Sequence, residues 1–161
     1  MEHINVVKTE RLTIYPLSDL EMEQLIEEEM DSEMKQAYLS MLTGCRQYPE
    51  KRIWHAVWAI HLNEETNRCV GDLSFKGLDC NGTVEIGYGI KKEYEGRGYM
   101  TEAVKAMVAW ASIQDGVTSV EAETDCNNKA SQRVLEKAGF LPNGHMGEEG
   151  PRFVLNQHVK F

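Results

Sequence analysis

Glu95–Ala103, with the sequence EGRGYMTEA, is the stretch from which the fold of this chain can be worked out. Its two glycines, Gly96 and Gly98, allow the backbone to curl so that several N–H groups point the same way. The apolar period of the following residues predicts the helix Tyr99–Gln114, whose N-terminal end adds a partial positive charge. The turn and the helix together predict a site for an anion such as a pyrophosphate, with Arg97 as a further cation.

This glycine turn, residues 95–98, is a weak signal by itself, because ordinary turns contain the same pattern. It lacks the third glycine of a dinucleotide-binding fingerprint, and no Gly-Lys-Ser/Thr of a P-loop is present. A second segment, Asn127–Phe140, with the sequence NNKASQRVLEKAGF, follows further along the chain. Asn128 is a good N-cap for a helix that stops at Gly139, and taken alone the segment indicates no more than that helix.

The patterns on both sides of the glycine turn predict a mixed sheet flanked by helices. Three consecutive strands before the central helix predict antiparallel hairpins, and the strand–helix–strand unit after them predicts one parallel, right-handed crossover. The predicted fold class is therefore α/β, with a mostly antiparallel sheet in one domain over residues 1–161. In chain order, the predicted elements are strand Leu12–Leu17, a helix opened by Ser18 with a capping box to Glu21, a helix from Asp31 stopped by Gly44, strands Ile53–His61, Cys69–Lys76 and Thr83–Ile90 (the last two joined by an Asn81-Gly82 turn), helix Tyr99–Gln114, strand Ser119–Thr124, a helix from Asn128 to Ala138, and a hairpin of Asn143–Met146 with Arg152–Leu155.

Charge and composition restrict the partners and the location of the protein. The chain has 161 residues and a net charge of -9, which argues against nucleic acid or an anionic membrane as its partner. No apolar run approaches the ~18 residues of a membrane span, and the N-terminus does not resemble a signal peptide, so a cytoplasmic location is expected. The cysteines are far apart in sequence, which predicts free thiols and no metal site. They are Cys45, Cys69, Cys80 and Cys126.

The glycine turn and Asn127–Phe140, in this order and context, resemble two motifs of the GNAT superfamily of N-acetyltransferases. The first is similar to its pyrophosphate-binding turn, Arg/Gln-x-x-Gly-x-Gly/Ala, and the second to its Asn-x-x-Ala/Ser…Lys-x-Gly-Phe segment. The stretches GYGI, EYEGRGYMTEA and TERLTIYPLS are similar to the branch that acetylates the N-termini of ribosomal proteins. The resemblance extends from Thr9 to about Leu155, nearly the whole chain, and implies a single N-acetyltransferase domain.

The resemblance implies acetyl-CoA as co-substrate, lying in a V-shaped gap between the strand that ends at Ile90 and the strand Ser119–Thr124. Backbone N–H groups of the glycine turn and the helix start would hold the pyrophosphate, the backbone around Ile90 would hold pantetheine and the acetyl carbonyl, and Asn128 would face the cofactor arm. The residues so implied are Ile90, Glu95, Gly96, Arg97, Gly98, Tyr99, Met100 and Asn128. The chain departs from the family twice. Glu93 stands where many members have Arg or Gln, and Leu135 stands where many have the Tyr that protonates the leaving thiolate.

Two side chains are candidates for proton transfer. Glu85 is the candidate base, because it shares a strand face with Gly87 and Gly89, which leave room for a ligand. It can equally be interpreted as a solvated strand glutamate. Ser131 is the candidate for protonating the thiolate in place of the missing Tyr, although a serine in the first turn of a helix also bonds locally.

The expected function is acetyl transfer from acetyl-CoA to a primary amine, in the first place a protein or peptide N-terminal α-amine. An α-amine, with a pKa of about 7.8, loses its proton far more easily than a lysine amine at about 10.4, so a weak base suffices for it. A small cationic acceptor, either a polyamine or an aminoglycoside, is the alternative substrate class. A non-catalytic acyl-CoA-binding sensor is the alternative from another functional class, and the oligomeric state is left open, with a homodimer as one option.

Overall fold

An eight-stranded sheet with helices on both faces forms the fold. The computed structural model describes residues 5–65 and 68–156, except for the side chain of Asn156. In chain order, the elements are β1 (Val7–Lys8), β2 (Leu12–Pro16), α1 (Asp19–Glu28), α2 (Ser32–Gln47), a 3-10 helix (Pro49–Trp54), β3 (Val57–Leu62), β4 (Cys69–Lys76), β5 (Thr83–Ile90), a short 3-10 helix (Lys92–Tyr94), α3 (Tyr99–Ser112), β6 (Ser119–Glu123), α4 (Lys129–Lys137), β7 (Leu141–Met146) and β8 (Pro151–Asn156).

The sheet has the strand order β1-β2-β3-β4-β5-β6-β8-β7, and β5–β6 is its parallel pair. This confirms the predicted mixed, mostly antiparallel sheet with one parallel crossover. The parallel pairing extends only from Thr83 opposite Ser119 to Glu85 opposite Glu121. Because β5 continues to Ile90 against β4, β5 and β6 separate beyond Glu85, and the edge of β5 that faces β6 has no strand partner there among the described residues.

Because successive side chains of a strand point to opposite faces of the sheet, apolar residues are buried on both faces. The predicted apolar stripe of α3 packs on one face together with the fully buried Leu135 of α4. A smaller cluster on the other face includes Met22 of α1, Tyr38 and Leu42 of α2, and Val57 of β3. Within residues 5–65 and 68–156, no helix is long and apolar enough to cross a membrane.

Two predicted helix N-caps and the predicted turn at Gly82 lie where the sequence predicts them. Ser18 and Glu21 form a capping box, in which the Glu21 N–H donates to Ser18 Oγ at 3.2 Å and the Ser18 N–H donates to Glu21 Oε1 at 3.0 Å. Gly82 has a φ of 82° in the turn between β4 and β5. Asn128 caps α4 by accepting the Ser131 N–H at 3.0 Å.

Gly44 does not end α2, contrary to the sequence-based prediction, because the helix continues to Gln47. A Cβ at Gly44 would lie 2.6 Å from His55 Nδ1. The glycine is therefore needed for close packing against His55, and its cost in helix propensity, about 1 kcal/mol relative to alanine, is offset by tertiary contact.

The predicted strand Ile53–His61 is also wrong at its start, since β3 begins only at Val57. Pro49, which lacks an N–H, instead begins a 3-10 helix that ends at Trp54. The Trp54 ring packs edge-on against Phe75 with 5.3 Å between ring centroids. The apolar run Ile53–His61 is therefore divided between a 3-10 helix and β3. The short edge strand β1 was not predicted.

Candidate active site

A cavity of about 890 Å³ lies between the end of β5, the glycine turn and α4. Eight of the predicted site residues line it, and Glu85 and Arg97 do not. The predicted residues in its wall are Ile90, Glu95, Gly96, Gly98, Tyr99, Met100, Asn128 and Ser131; the others are Tyr88, Gly89, Tyr94, Thr101, Ala130, Arg133, Val134 and Lys137.

The glycine turn presents a row of backbone donors to this cavity. Gly96 and Gly98 have φ values of 75° and 80°, a left-handed conformation that favours glycine. Each N–H from Gly96 to Thr101 is without a hydrogen-bond acceptor in the described part of the chain, as expected for a helix start that has no side-chain cap. Glu95 lines the cavity, but its N–H already donates to the Lys92 carbonyl at 3.2 Å. The row therefore suits an anion held by backbone donors.

The cations beside this row come from α4. Arg133 and Lys137 are four residues apart on that helix, and both line the cavity. The Arg97 guanidinium instead lies 5.7 Å from the centre of the Tyr94 ring. Sequence reasoning missed the two α4 cations, although their helical spacing beside Ser131 was a usable signal.

A polar network that sequence reasoning also missed fixes the start of α3. Arg11 donates to Glu102 Oε1 through Nε at 2.8 Å and to the Arg97 carbonyl through Nη1 at 3.0 Å. The Thr9 hydroxyl donates to Glu102 Oε2 at 2.5 Å. Burial raises the pKa of Glu102, but the hydrogen bonds from Thr9 and Arg11 outweigh it and lower the pKa overall. The loop before β2 thus holds the glycine turn in place, and its Thr9 and Arg11 bind the Glu102 carboxylate, which would otherwise repel a bound anion.

Ser131 lies at the other side of the cavity with Tyr88 as its partner. The Tyr88 hydroxyl is 2.9 Å from Ser131 Oγ and donates to the Ser131 carbonyl oxygen at 3.2 Å. Burial raises the pKa of Tyr88, although the bond with Ser131 lowers it in part. The pair therefore remains neutral and able to donate a proton, and sequence reasoning identified only the serine.

Glu85 is held by cations outside the cavity wall. Its carboxylate pairs with Lys76 Nζ at 2.9 Å and with Arg152 Nη2 at 2.7 Å. Burial raises the pKa of Glu85, but the hydrogen bonds from Lys76 and Arg152 lower it more, so the net shift is downward. A carboxylate of lowered pKa is a weak proton acceptor, and a role for Glu85 as base stays a prediction.

The sheet face that carries Glu85 also carries the carboxylate of Asp72. Asp72 on β4 is paired with Gly89 on β5, and its Oδ2 accepts the Tyr38 hydroxyl proton at 2.8 Å. Burial raises the pKa of Asp72, with the Tyr38 hydrogen bond opposing it in part. Over residues 5–65 and 68–156, no group of three or more His, Cys, Asp or Glu residues is placed to hold a metal ion.

Comparison with known proteins places this geometry in a family. The domain family described as "Acetyltransferase (GNAT) domain" matches residues 9–141. The chain is 34% identical over 92 residues to the uncharacterized N-acetyltransferase YjdG of Bacillus subtilis (strain 168), covering 56% of this chain and about half of YjdG, 54%. It is 27% identical over 153 residues to the uncharacterized N-acetyltransferase YoaA of the same organism, covering 86% of this chain and 84% of YoaA.

Solved structures share the fold at low identity. RimL, a ribosomal L7/L12 alpha-N-protein acetyltransferase in complex with coenzyme A, has a TM-score of 0.74 at 15% identity, covering 94% of this chain and 98% of that chain. A spermidine N-acetyltransferase chimera from Vibrio cholerae and hSSAT has a TM-score of 0.71 at 13% identity, covering 91% and 95%. The family match covers most of the chain and confirms the predicted resemblance: the chain belongs to the GNAT acetyltransferase family.

Proposed function

We propose that this chain transfers an acetyl group from acetyl-CoA to a primary amine, in the first place the α-amine of a protein or peptide N-terminus. The observation that carries the proposal is the row of N–H groups from Gly96 to Thr101, which have no acceptor among the described residues. All residues of the row except Arg97 line a cavity that reaches the end of β5. In a member of the GNAT family, such a row is suited to the pyrophosphate of coenzyme A.

The residues present fit the phosphates and the pantetheine arm of acetyl-CoA. The N–H row, with Arg133 and Lys137 beside it, would hold the phosphates. Beyond Glu85, the free edge of β5 offers backbone N–H and C=O groups to the pantetheine amides, as a sheet edge does to an added strand. The bound co-substrate supplies the thioester carbonyl, which would lie near Ile90, where the resemblance to the family places it.

Ser131 is the group proposed to protonate the departing sulfur. It lines the cavity on α4, one helical turn before Leu135. Leu135, which occupies the position of the usual family tyrosine, is fully buried in the core and carries no proton to donate. Either hydroxyl can donate between Tyr88 and Ser131 Oγ, and when Tyr88 turns its proton from the Ser131 carbonyl to Oγ, the serine's own proton is free for the sulfur.

The proposed acceptor is an α-amine because its deprotonation is easy. Removing its proton at pH 7 costs only about 1 kcal/mol, against roughly 4–5 kcal/mol for a lysine-like amine. The similarity to RimL in fold supports this choice. A polyamine is the second candidate, supported by the net charge of -9 and by the similarity in fold to the spermidine N-acetyltransferase chimera.

The proposal is tested by following thiol release from acetyl-CoA with purified protein and a panel of N-terminal peptides, polyamines and aminoglycosides. We expect turnover with peptides that carry a free α-amine, and none with the same peptides blocked at the N-terminus. Higher kcat/KM for polyamines would favour the second candidate. Tight acetyl-CoA binding without turnover on any amine would contradict both and support a sensor.

A further inference from the structure

We infer that Asp72 accepts the proton of the acceptor amine, an inference that rests on the N-acetyltransferase function proposed above. It assigns the base of the reaction to a residue of β4 that the sequence patterns did not single out. The inference follows from strand register, from the open space above β5 and from the side chains that surround the carboxylate.

Strand register places Asp72 beside the inner end of the cavity. Asp72 and Gly89 are direct partners in the antiparallel β4–β5 pair, so both point to the same sheet face, with Cβ positions about 4.5–5.5 Å apart. Gly89 and the adjacent Ile90 line the cavity in which acetyl-CoA is proposed to lie. The Asp72 carboxylate therefore lies one strand away from the proposed position of the acetyl carbonyl, on the sheet face opposite to the Tyr88 and Ile90 side chains. An amine on that face would reach the carbonyl past the bare backbone of Gly89.

The two glycines of β5 leave access to this carboxylate from solvent. Gly87 and Gly89 are exposed, and a Cβ built on either would meet no atom within 4 Å. Helix α2 covers the neighbouring part of the same face, where Tyr38 reaches Asp72. An amine that approaches over these glycines would pass Asp72 before it reaches the end of the cavity.

The surroundings of Asp72 suit a proton acceptor. Burial raises the pKa of Asp72, and the hydrogen bond from Tyr38 of α2 lowers it in part. The charge of Glu29, after α1, raises this pKa further, and the charge of Lys91, after β5, lowers it. The net shift is upward, which makes Asp72 a stronger base than an ordinary carboxylate. Burial also raises the pKa of Tyr38, with Asp72 adding to the shift, so Tyr38 stays protonated and fixes one carboxylate oxygen. Among the described residues, no other hydrogen bond to this carboxylate competes for an incoming ammonium.

The proposed step balances in atoms and charge. One proton passes from the ammonium to Asp72 and later to solvent, which leaves a neutral amine. The amine nitrogen forms a C–N bond to the thioester carbonyl carbon, and the C–S bond breaks. The sulfur takes a proton from Ser131, which recovers one from the second N–H proton lost as the amide forms. The products are an N-acetyl amide and free thiol.

The test compares pH profiles of kcat/KM between pH 5.5 and 9 with one peptide acceptor. For Asp72→Asn, which keeps the size and an acceptor for Tyr38, we expect a loss on the order of 10² at pH 7 that shrinks toward pH 9, where the α-amine is neutral. Asp115→Asn is the matched control, because Asp115 is exposed and does not line the cavity. Its profile should match the wild type.

Two further variants make the test specific. Tyr38→Phe removes the hydrogen bond that lowers the pKa of Asp72, so the acid limb of the profile should move up by about one pH unit. A purely structural role for Asp72 would leave that limb in place. Glu85→Gln should keep the acid limb, and loss of the limb in Glu85→Gln but not in Asp72→Asn would overturn the inference in favour of Glu85.

Failure of this inference differs from failure of the proposed function. Calorimetry with acetyl-CoA checks that Asp72→Asn is folded and still binds. A wild type that turns over normally, with an Asp72→Asn profile that superimposes on it, overturns the inference alone. A wild type that acetylates no amine overturns the proposed function and the inference with it.

Discussion

The proposed proton donation depends on a pair of hydroxyls, Ser131 and Tyr88, that come from different elements. Ser131 is the third residue of α4, and Tyr88 reaches it from β5 with 2.9 Å between the hydroxyl oxygens. The cap formed by Asn128 fixes the Ser131 backbone. A hydroxyl that is held on two sides and faces a cavity is pre-oriented, which is what proton transfer to a departing group requires.

Ser131→Ala should therefore lower kcat by roughly ten- to a hundredfold, the lower range of acid catalysis, with little change in acetyl-CoA affinity. Tyr88→Phe should lower kcat less, because water can still bond the serine. The double variant should be no slower than Ser131→Ala, since both residues act through one proton. Stopped-flow thiol release measures each rate, and additive losses in the double variant would contradict the pairing.

The sequence predicts an element correctly where a local signal, such as a cap, a turn residue or an apolar periodicity, determines it. The α3 stripe, the Ser18 capping box and the Gly82 turn are of this kind. Gly44 and Ile53–Trp54 were misinterpreted because distant partners, His55 and Phe75, decide their conformation. A single sequence contains no record of such contacts.

One arginine of β8 links three strands through its guanidinium. Arg152 donates to Glu85 of β5 at 2.7 Å, and to Glu121 and Glu123 of β6 at 2.9 and 3.0 Å. The Arg152 side chain is 24% exposed and that of Glu85 17%, so water screens these bonds only in part. Removal of the arginine would leave three carboxylates facing each other, beside the site where β5 and β6 separate.

Arg152→Gln should therefore lower the free energy of unfolding at pH 7 by about 1–3 kcal/mol. Lys76→Gln is the matched control: it removes another cation from Glu85, but the Lys76 side chain is 81% exposed, so its loss should cost less than about 1 kcal/mol. Urea denaturation of the wild type and both variants measures the difference. Equal losses would contradict the argument from burial.

The pH dependence of this effect follows from the lowered pKa of Glu85. A carboxylate with a lower pKa in the folded than in the unfolded state stabilises the fold above the unfolded value, about 4.3, and this stabilisation is lost as pH falls through the folded pKa. The difference in free energy of unfolding between the wild type and Arg152→Gln should thus be largest at pH 6 and become smaller below pH 4. The same urea experiments at pH 6 and 3.5 test the sign.

In the whole molecule, the sheet separates two sides that the proposed reaction must bring together. The glycine turn, α3 and α4 enclose the cavity on one side, while Asp72 and Tyr38 lie on the other. Between the two sides, Gly87 and Gly89 leave the sheet without side chains on the Asp72 face. Eight of the sixteen residues in the cavity wall were predicted, all but Ile90 from two motifs of the sequence. The contact of Tyr38 with Asp72 depends on how α2 docks on β4 and could not be predicted.

The proposed binding of acetyl-CoA in the cavity can be tested through the thermal stability of the protein. A ligand that binds only the folded state at 100 times its Kd stabilises by about 2.7 kcal/mol, which for a domain of this size raises Tm by roughly 5–10 °C. Acetyl-CoA should produce such a shift in the wild type. Gly98→Asp should abolish it, because a carboxylate at the start of α3 repels phosphate from the N–H row.

Gly144→Asp separates this electrostatic effect from backbone strain. Gly144 has a φ of 84°, close to the 80° of Gly98, and a Cβ there would meet no atom within 4 Å. Aspartate tolerates this left-handed conformation better than most residues, so both variants should fold with a similar small loss of Tm. Gly144 does not line the cavity, so its variant should keep the full acetyl-CoA shift, measured by differential scanning calorimetry. A full shift in Gly98→Asp as well would mean that the phosphates bind elsewhere than at the glycine turn.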